Sequence, residues 1–118
     1  MSGIIPVLDW VGHWENVRIE HDRYWDGSRE VRLVLEDGEL LTTASICLSD
    51  YGAPPGEGCF WVKSYSEGTG LADRLSEVGV VAKTGNAIQF GPFNVLAEEV
   101  RFTPEYESDW PREAVVEV

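Results

Sequence analysis

From residue 16 the chain alternates apolar and polar side chains with a period of two. Val17, Ile19 and His21 fall on one face and Arg18, Glu20 and Asp22 on the other, the pattern of a half-buried strand over residues 16–23. Asp26-Gly27 then supplies a hairpin turn, and Val31, Leu33 and Leu35 resume the alternation on its far side. Asp37-Gly38 repeats the device before ELLTTASICL, a run rich in β-branched and apolar residues. Residues 16–48 therefore predict a three-stranded meander. Ahead of it, IIPVLDWVGHW at residues 4–14 is apolar, with Trp10 and Trp14 four apart, a spacing that predicts a helical turn carrying both indoles on one face. Pro6 and Gly12 count against that helix.

Beyond the meander, SDYGAPPGEG at residues 49–58 concentrates proline and glycine and predicts a surface loop. CFWVK at 59–63 reads as a buried strand, and Leu71, Leu75 and Val78 recur at helical spacing with Gly79 placed as a C-cap. Thr69 is the candidate N-cap. VVAKT and AIQF flank Gly85-Asn86 as a second hairpin, and FNVLAEEVRF follows as a further strand. The expected fold is α+β, an antiparallel or mixed β-sheet of six to seven strands with one short helix on one face. Residues 1–118 read as one domain, with a core over 16–102 and an acidic tail over 103–118.

Charge sharpens this picture, because 21 acidic residues stand against nine basic ones, a net −12. Residues 36–57 carry Glu36, Asp37, Glu39, Asp50 and Glu57 with no Lys or Arg, and residues 98–118 carry seven acids against two bases. Such a field repels a phosphate backbone, so direct nucleic-acid binding is excluded from the expectation, and a partner protein with a basic surface is favoured. No apolar run reaches the ~20 residues of a membrane span and no signal segment is read at the N-terminus, so the expected location is cytoplasmic. Cys47 and Cys59 lie on strand-like runs without CxxC spacing and read as reduced core thiols.

Catalytic chemistry finds little support. His13 and His21 lack partners at metal-ligand spacing, no nucleophile elbow is present, and the glycines of GEG and GTG do not complete a phosphate-binding motif. Adjacent strand residues point to opposite faces, so Glu98 and Glu99 do not chelate as a pair. No enzyme activity, metal or cofactor is expected. Trp25, at a turn, and Trp110, in the tail, are large aromatics at positions where an interface anchor is plausible on chemical grounds.

FWVKSYSE at residues 60–67, followed by Gly68 and Gly70, then LxxxLxEVGVV and TGxxIxFGPF, resembles a family of uncharacterised small bacterial proteins borne by plasmids and phages, with a VKDYSEN-G type motif. The similarity spans residues 16–102, implies a common fold and brings no assigned activity; Gly68 stands here where the family motif has Asn. Together these readings lead to an expected function. It is a non-enzymatic, acidic protein-binding factor of a mobile element, acting against host defence (anti-CRISPR or antirestriction) by nucleic-acid mimicry. The expected partner-binding residues are Glu36, Asp37, Glu39, Glu98, Glu99, Glu105, Glu107, Asp109 and Trp110. The alternatives are a toxin-immunity or other stoichiometric partner, and a small ligand-binding protein or enzyme using the loop motif Lys63, Tyr65, Ser66 and Glu67.

Overall fold

The computed structural model describes residues 3–107, with Glu67 described by its backbone alone. Eight strands form two four-stranded antiparallel sheets. The first is a meander of β1 (Ile4–Asp9), β2 (His13–Arg23), β3 (Arg29–Val34) and β4 (Leu40–Thr43), in chain order. The second contains β5 (Ser45–Ile46), β6 (Cys59–Lys63), β7 (Val81–Phe90) and β8 (Val95–Phe102), arranged β5-β6-β8-β7. Two short helices accompany them, α1 (Leu71–Glu77) and α2 (Pro104–Glu107), with single 3-10 turns at Ser49–Tyr51 and Ser66–Gly68.

The expectation of one sheet with six to seven strands and one helix is thus corrected to two antiparallel sheets and two short helices. The reason lies at Ala44, where the run ELLTTASICL changes sheets. β4 pairs with β3 as far as Thr43, whereas Ser45 and Ile46 pair with Val62 and Trp61 of β6. The seam leaves the Val31 backbone satisfied, since the Ala44 N–H donates to the Val31 carbonyl at 2.9 Å and the Val31 N–H donates to Ser45 Oγ at 2.8 Å. A buried strand can switch sheets only if its unpaired groups find such partners.

Residues 4–14 are a hairpin, not a helical turn. Ile5 faces Val17 and Asp9 faces His13 across β1 and β2, and the chain reverses through Val11 (φ 48°) and Gly12 (φ 144°). Both indoles still find acceptors: Trp14 Nε1 donates to the Trp10 carbonyl at 3.1 Å, and Trp10 Nε1 donates to the Thr69 carbonyl at 3.2 Å.

Gly85-Asn86 is likewise not a turn. β7 runs unbroken along β8, but Lys83 faces Val100 while Ala87 faces Glu98, so residues 84–86 bulge opposite Glu99 alone. The bulge exists because it wraps a buried carboxylate: Thr84 Oγ1 donates to Glu99 Oε1 at 2.7 Å and Asn86 Nδ2 to the same oxygen at 2.9 Å. Burial of an ionised group requires this kind of satisfaction.

α1 buries Leu71, Ala72 and Leu75 and packs against β1, β6 and β7. It ends in a Schellman motif as the sequence predicts: the Gly79 N–H (φ 83°) donates to Ser76 and the Val80 N–H to Leu75. At its start Gly70, in the left-handed region, occupies the N-cap without a side-chain bond, and Thr69 Oγ1 donates instead to the Ser66 carbonyl.

The main core joins Ile5, Leu8, Val17, Ile19, Val31 and Leu33 of the first sheet to Phe60, Val62, Val81, Val100 and Phe102 of the second. Tyr106 of α2 is part of it, so the buried set extends outside residues 16–102 at both ends. Leu48, Trp61 and Ala97 form a second cluster on the other side of the second sheet. Among the described residues, no helix is long and apolar enough to cross a membrane.

Candidate functional site

Antiparallel pairing brings two hairpin tips to one end of the first sheet. The start of β2 lies beside the end of β3, so the β1–β2 tip adjoins the Leu35–Glu39 turn, and Asn16 Nδ2 on one donates to Glu36 Oε2 on the other at 3.1 Å. Between the tips runs a groove of about 320 Å³, lined by His13, Trp14, Glu15, Leu35, Glu36 and Asp37. Its walls combine an apolar floor with a carboxylate rim. Residues 1–17 and 33–62 contain no Lys or Arg, so neither tip supplies a permanent counter-ion of its own.

His13 is the titratable cation of this end. Its Nδ1 lies 2.7 Å from Asp9 Oδ1 and its Nε2 lies 3.3 Å from Glu15 Oε2. The hydrogen bond to Asp9, then that to Glu15, raises the imidazole above its ordinary value of 6.5. Deprotonation leaves both carboxylates uncompensated. Asp37 Oδ1 accepts the Glu39 N–H at 2.9 Å and so holds the turn, while Glu39 is exposed beside an exposed Leu40.

Of the acids expected along residues 98–109, Glu98, Glu99 and Glu107 are engaged internally. Glu98 is paired with Lys83 at 2.9 Å and accepts from Ser64 Oγ at 2.8 Å. Glu99 is only 6% exposed, and in addition to Thr84 and Asn86 it accepts the Gly56 N–H at 2.7 Å. Burial pushes its pKa up, but the bonds from Thr84, Gly56 and Asn86, with Arg101 nearby, outweigh that and hold it below the usual carboxylate value. Glu107 forms a bidentate pair with Arg29, at 2.8 and 2.7 Å. Glu105 is exposed on α2. Asp109 and Trp110 lie outside the described residues. Glu36, Asp37 and Glu39 are therefore brought together, and Glu98, Glu99 and Glu107 do not join them.

Tyr51, Phe90 and Tyr65 form a chain of ring contacts elsewhere. Tyr51 lies 5.2 Å from Phe90, and Phe90 lies 6.0 Å from Tyr65. Phe93 is 85% exposed in the β7–β8 turn, and Trp25 is 75% exposed beside Asp26. Asp26 accepts from Ser28 Oγ, Ser49 Oγ and the Ser28 N–H, which hold its carboxyl down to about 2. That contact ties the β2–β3 turn to the 3-10 turn at Ser49–Tyr51.

The loop motif is a tightly packed strand exit. Lys63 ends β6, Tyr65 packs on Phe90, and Ser66 (φ 54°) and Glu67 enter the 3-10 turn. A Cβ on Gly68 would lie 2.7 Å from the Lys63 carbonyl oxygen, so the Asn of the resembled motif does not fit this backbone without movement.

Cys47 and Cys59 are free thiols, the first half-buried and the second buried. Among the described residues, no three His, Cys, Asp or Glu side chains are arranged to hold a metal ion. Sequence reasoning missed Asp9, His13, Trp14 and Glu15, because a helical turn over residues 4–14 does not fold them back towards Glu36 and Asp37, and it read Leu35 only as an inward-facing strand residue. The signal was Gly12 with Pro6, which marks a hairpin as readily as a broken helix. Comparison of the chain with family models, curated proteins and solved structures gave no match.

Proposed function

We propose that this protein is a non-enzymatic, stoichiometric binding factor that presents the acidic hairpin end of its first sheet to a basic surface on another protein. The observation that carries the reading is the convergence of Glu15, Glu36 and Asp37 on one groove between two tips that contain no Lys or Arg. Exposed carboxylates gathered at adjoining hairpin tips select for a partner of opposite charge and speed encounter at low salt. A basic surface of this kind is the one a defence nuclease uses for nucleic acid, so the reading extends to an anti-CRISPR or antirestriction factor that occupies a nucleic-acid groove. The internal pairing of Glu98, Glu99 and Glu107 moves the proposed surface from the C-terminal acids to the hairpin tips.

The test is affinity capture against purified nucleic-acid-binding defence proteins, comparing the native chain with a Glu36→Lys, Asp37→Lys, Glu39→Lys variant. The reading expects capture that is competed by nucleic acid, weakened by salt and lost in the variant. Capture that survives the triple reversal overturns it.

A further inference from the structure

Within that acidic end, and resting on the reading just given, we infer that the groove between the hairpin tips receives a single arginine side chain projecting from the partner. The floor is prebuilt for it. Trp14 is held at its polar edge by the 3.1 Å bond from Nε1 to the Trp10 carbonyl, and the Gly12 backbone passes so close to its ring that an added Cβ would lie 3.4 Å from Cζ2. Leu35 continues this apolar floor from the neighbouring hairpin, and Val11 and Leu40 are exposed on the two tips. An immobilised indole costs no further ordering when a ligand arrives.

The rim supplies charge and hydrogen-bond capacity. Glu15 is engaged by His13, Glu36 by Asn16 and Asp37 by the Glu39 N–H, one bond each. A carboxylate offers about four acceptor positions, so each retains capacity for a guanidinium. Arginine fits this combination better than lysine, because its planar fork bonds carboxylates bidentately while its face stacks on an aromatic ring. The depression, of about 320 Å³, opens to solvent between the two tips, so a side chain projecting from outside can enter it. The sign of the rim excludes phosphate. His13, flanked by Asp9 and Glu15, is the cation that an incoming guanidinium meets there, so occupancy strengthens as His13 loses its proton.

The experiment is a titration of the full chain with acetyl-Gly-Arg-Gly-amide at low salt, reading the five tryptophan indole resonances by nitrogen–proton correlation NMR. The expected result is a saturable shift of the Trp14 indole, about tenfold weaker with the citrulline peptide and weaker with the lysine peptide. A Glu15→Gln, Glu36→Gln variant, which keeps the side-chain shapes, is expected to lose the shift. An equal response to citrulline overturns the inference, as does a uniform drift of all five indoles or dimerisation through the groove on sedimentation. If the arginine peptide fails while partner capture remains sensitive to the triple charge reversal, the groove assignment falls and the broader reading stands. If both fail, neither stands.

Discussion

Asn86 on β7 donates its side-chain N–H to Glu99 on β8 at 2.9 Å, across a bulge that sets three residues against one. The same carboxylate reaches the Gly56 N–H of the 49–58 loop, so one buried charge fixes the irregularity of an edge strand and the position of a proline-rich loop. An acid that looks like surface in the sequence is a structural pin.

Replacing Glu99 by Ala leaves the Gly56 and Asn86 donors facing a dry site and is expected to cost about 2–3 kcal/mol by chemical denaturation. The folded pKa of Glu99 lies below its ordinary value of 4.5. Its contribution is therefore present above pH 4.5 and is lost as pH falls through the folded value. Glu99→Gln is expected to flatten that acid limb of the stability curve.

Gly68 and Gly79 are expected to resist substitution for different reasons. A Cβ at Gly68 meets the Lys63 carbonyl at 2.7 Å, so Gly68→Asn forces the turn away from β6 and costs on the order of 1–3 kcal/mol. Gly79 has open space but a φ of 83°, so Gly79→Ala carries only the conformational penalty of roughly 1–2 kcal/mol. Thermal denaturation of the two variants, with Val78→Ala as a control, checks both values.

Arg29 and Glu107 tie β3 of the first sheet to α2, which follows β8 of the second. The Arg29 side chain is 10% exposed and lies 5.7 Å from the Phe102 ring, while Glu107 is 44% exposed. Because the acid is open to solvent, a double-mutant cycle with Arg29→Met and Glu107→Gln is expected to give a coupling of only about 1 kcal/mol. That coupling should shrink with added salt. The neighbouring Tyr106→Phe change removes a 3.1 Å bond to the Ile4 carbonyl and should cost about 1 kcal/mol, independent of salt.

His13 should titrate above 6.5 in proton NMR, and Asp9→Asn should bring it down, since the Asp9 bond is the main cause of the rise. Because the folded pKa is the higher one, the stabilisation from His13 is complete below pH 6.5 and fades as pH rises through the folded value. The hairpin end gains negative charge over the same interval.

Much of the fold was legible where local chemistry decides. The period-two runs and the Asp-Gly turns marked β2, β3 and β4, and Leu71 and Leu75 with Gly79 marked α1 and its end, although Val78, read at the same spacing, is its exposed C-cap. What failed depended on partners distant in the chain. Thr84-Gly85-Asn86 carries a turn signal, but Glu99 recruits it as a bulge, and Ala44 sits inside an unbroken β-branched run yet changes sheets because Ser45 can serve Val31. The candidate site suffered in the same way. Glu36 and Asp37 were visible as an uncompensated segment, whereas the groove needed the hairpin at residues 4–14 to carry Trp14 and Glu15 to them.

The central claim is that negative potential concentrates at the two hairpin tips and not along β8 and α2. Paramagnetic relaxation of backbone amides by a cationic nitroxide, compared with a neutral one of the same shape, measures that potential residue by residue without any partner. The account predicts the largest cationic excess around Asp9–Glu15 and Glu36–Leu40, growing as His13 deprotonates and collapsing in the Glu36→Lys, Asp37→Lys, Glu39→Lys variant. An excess spread evenly over the surface, or greatest around Glu98 and Glu107, would contradict it.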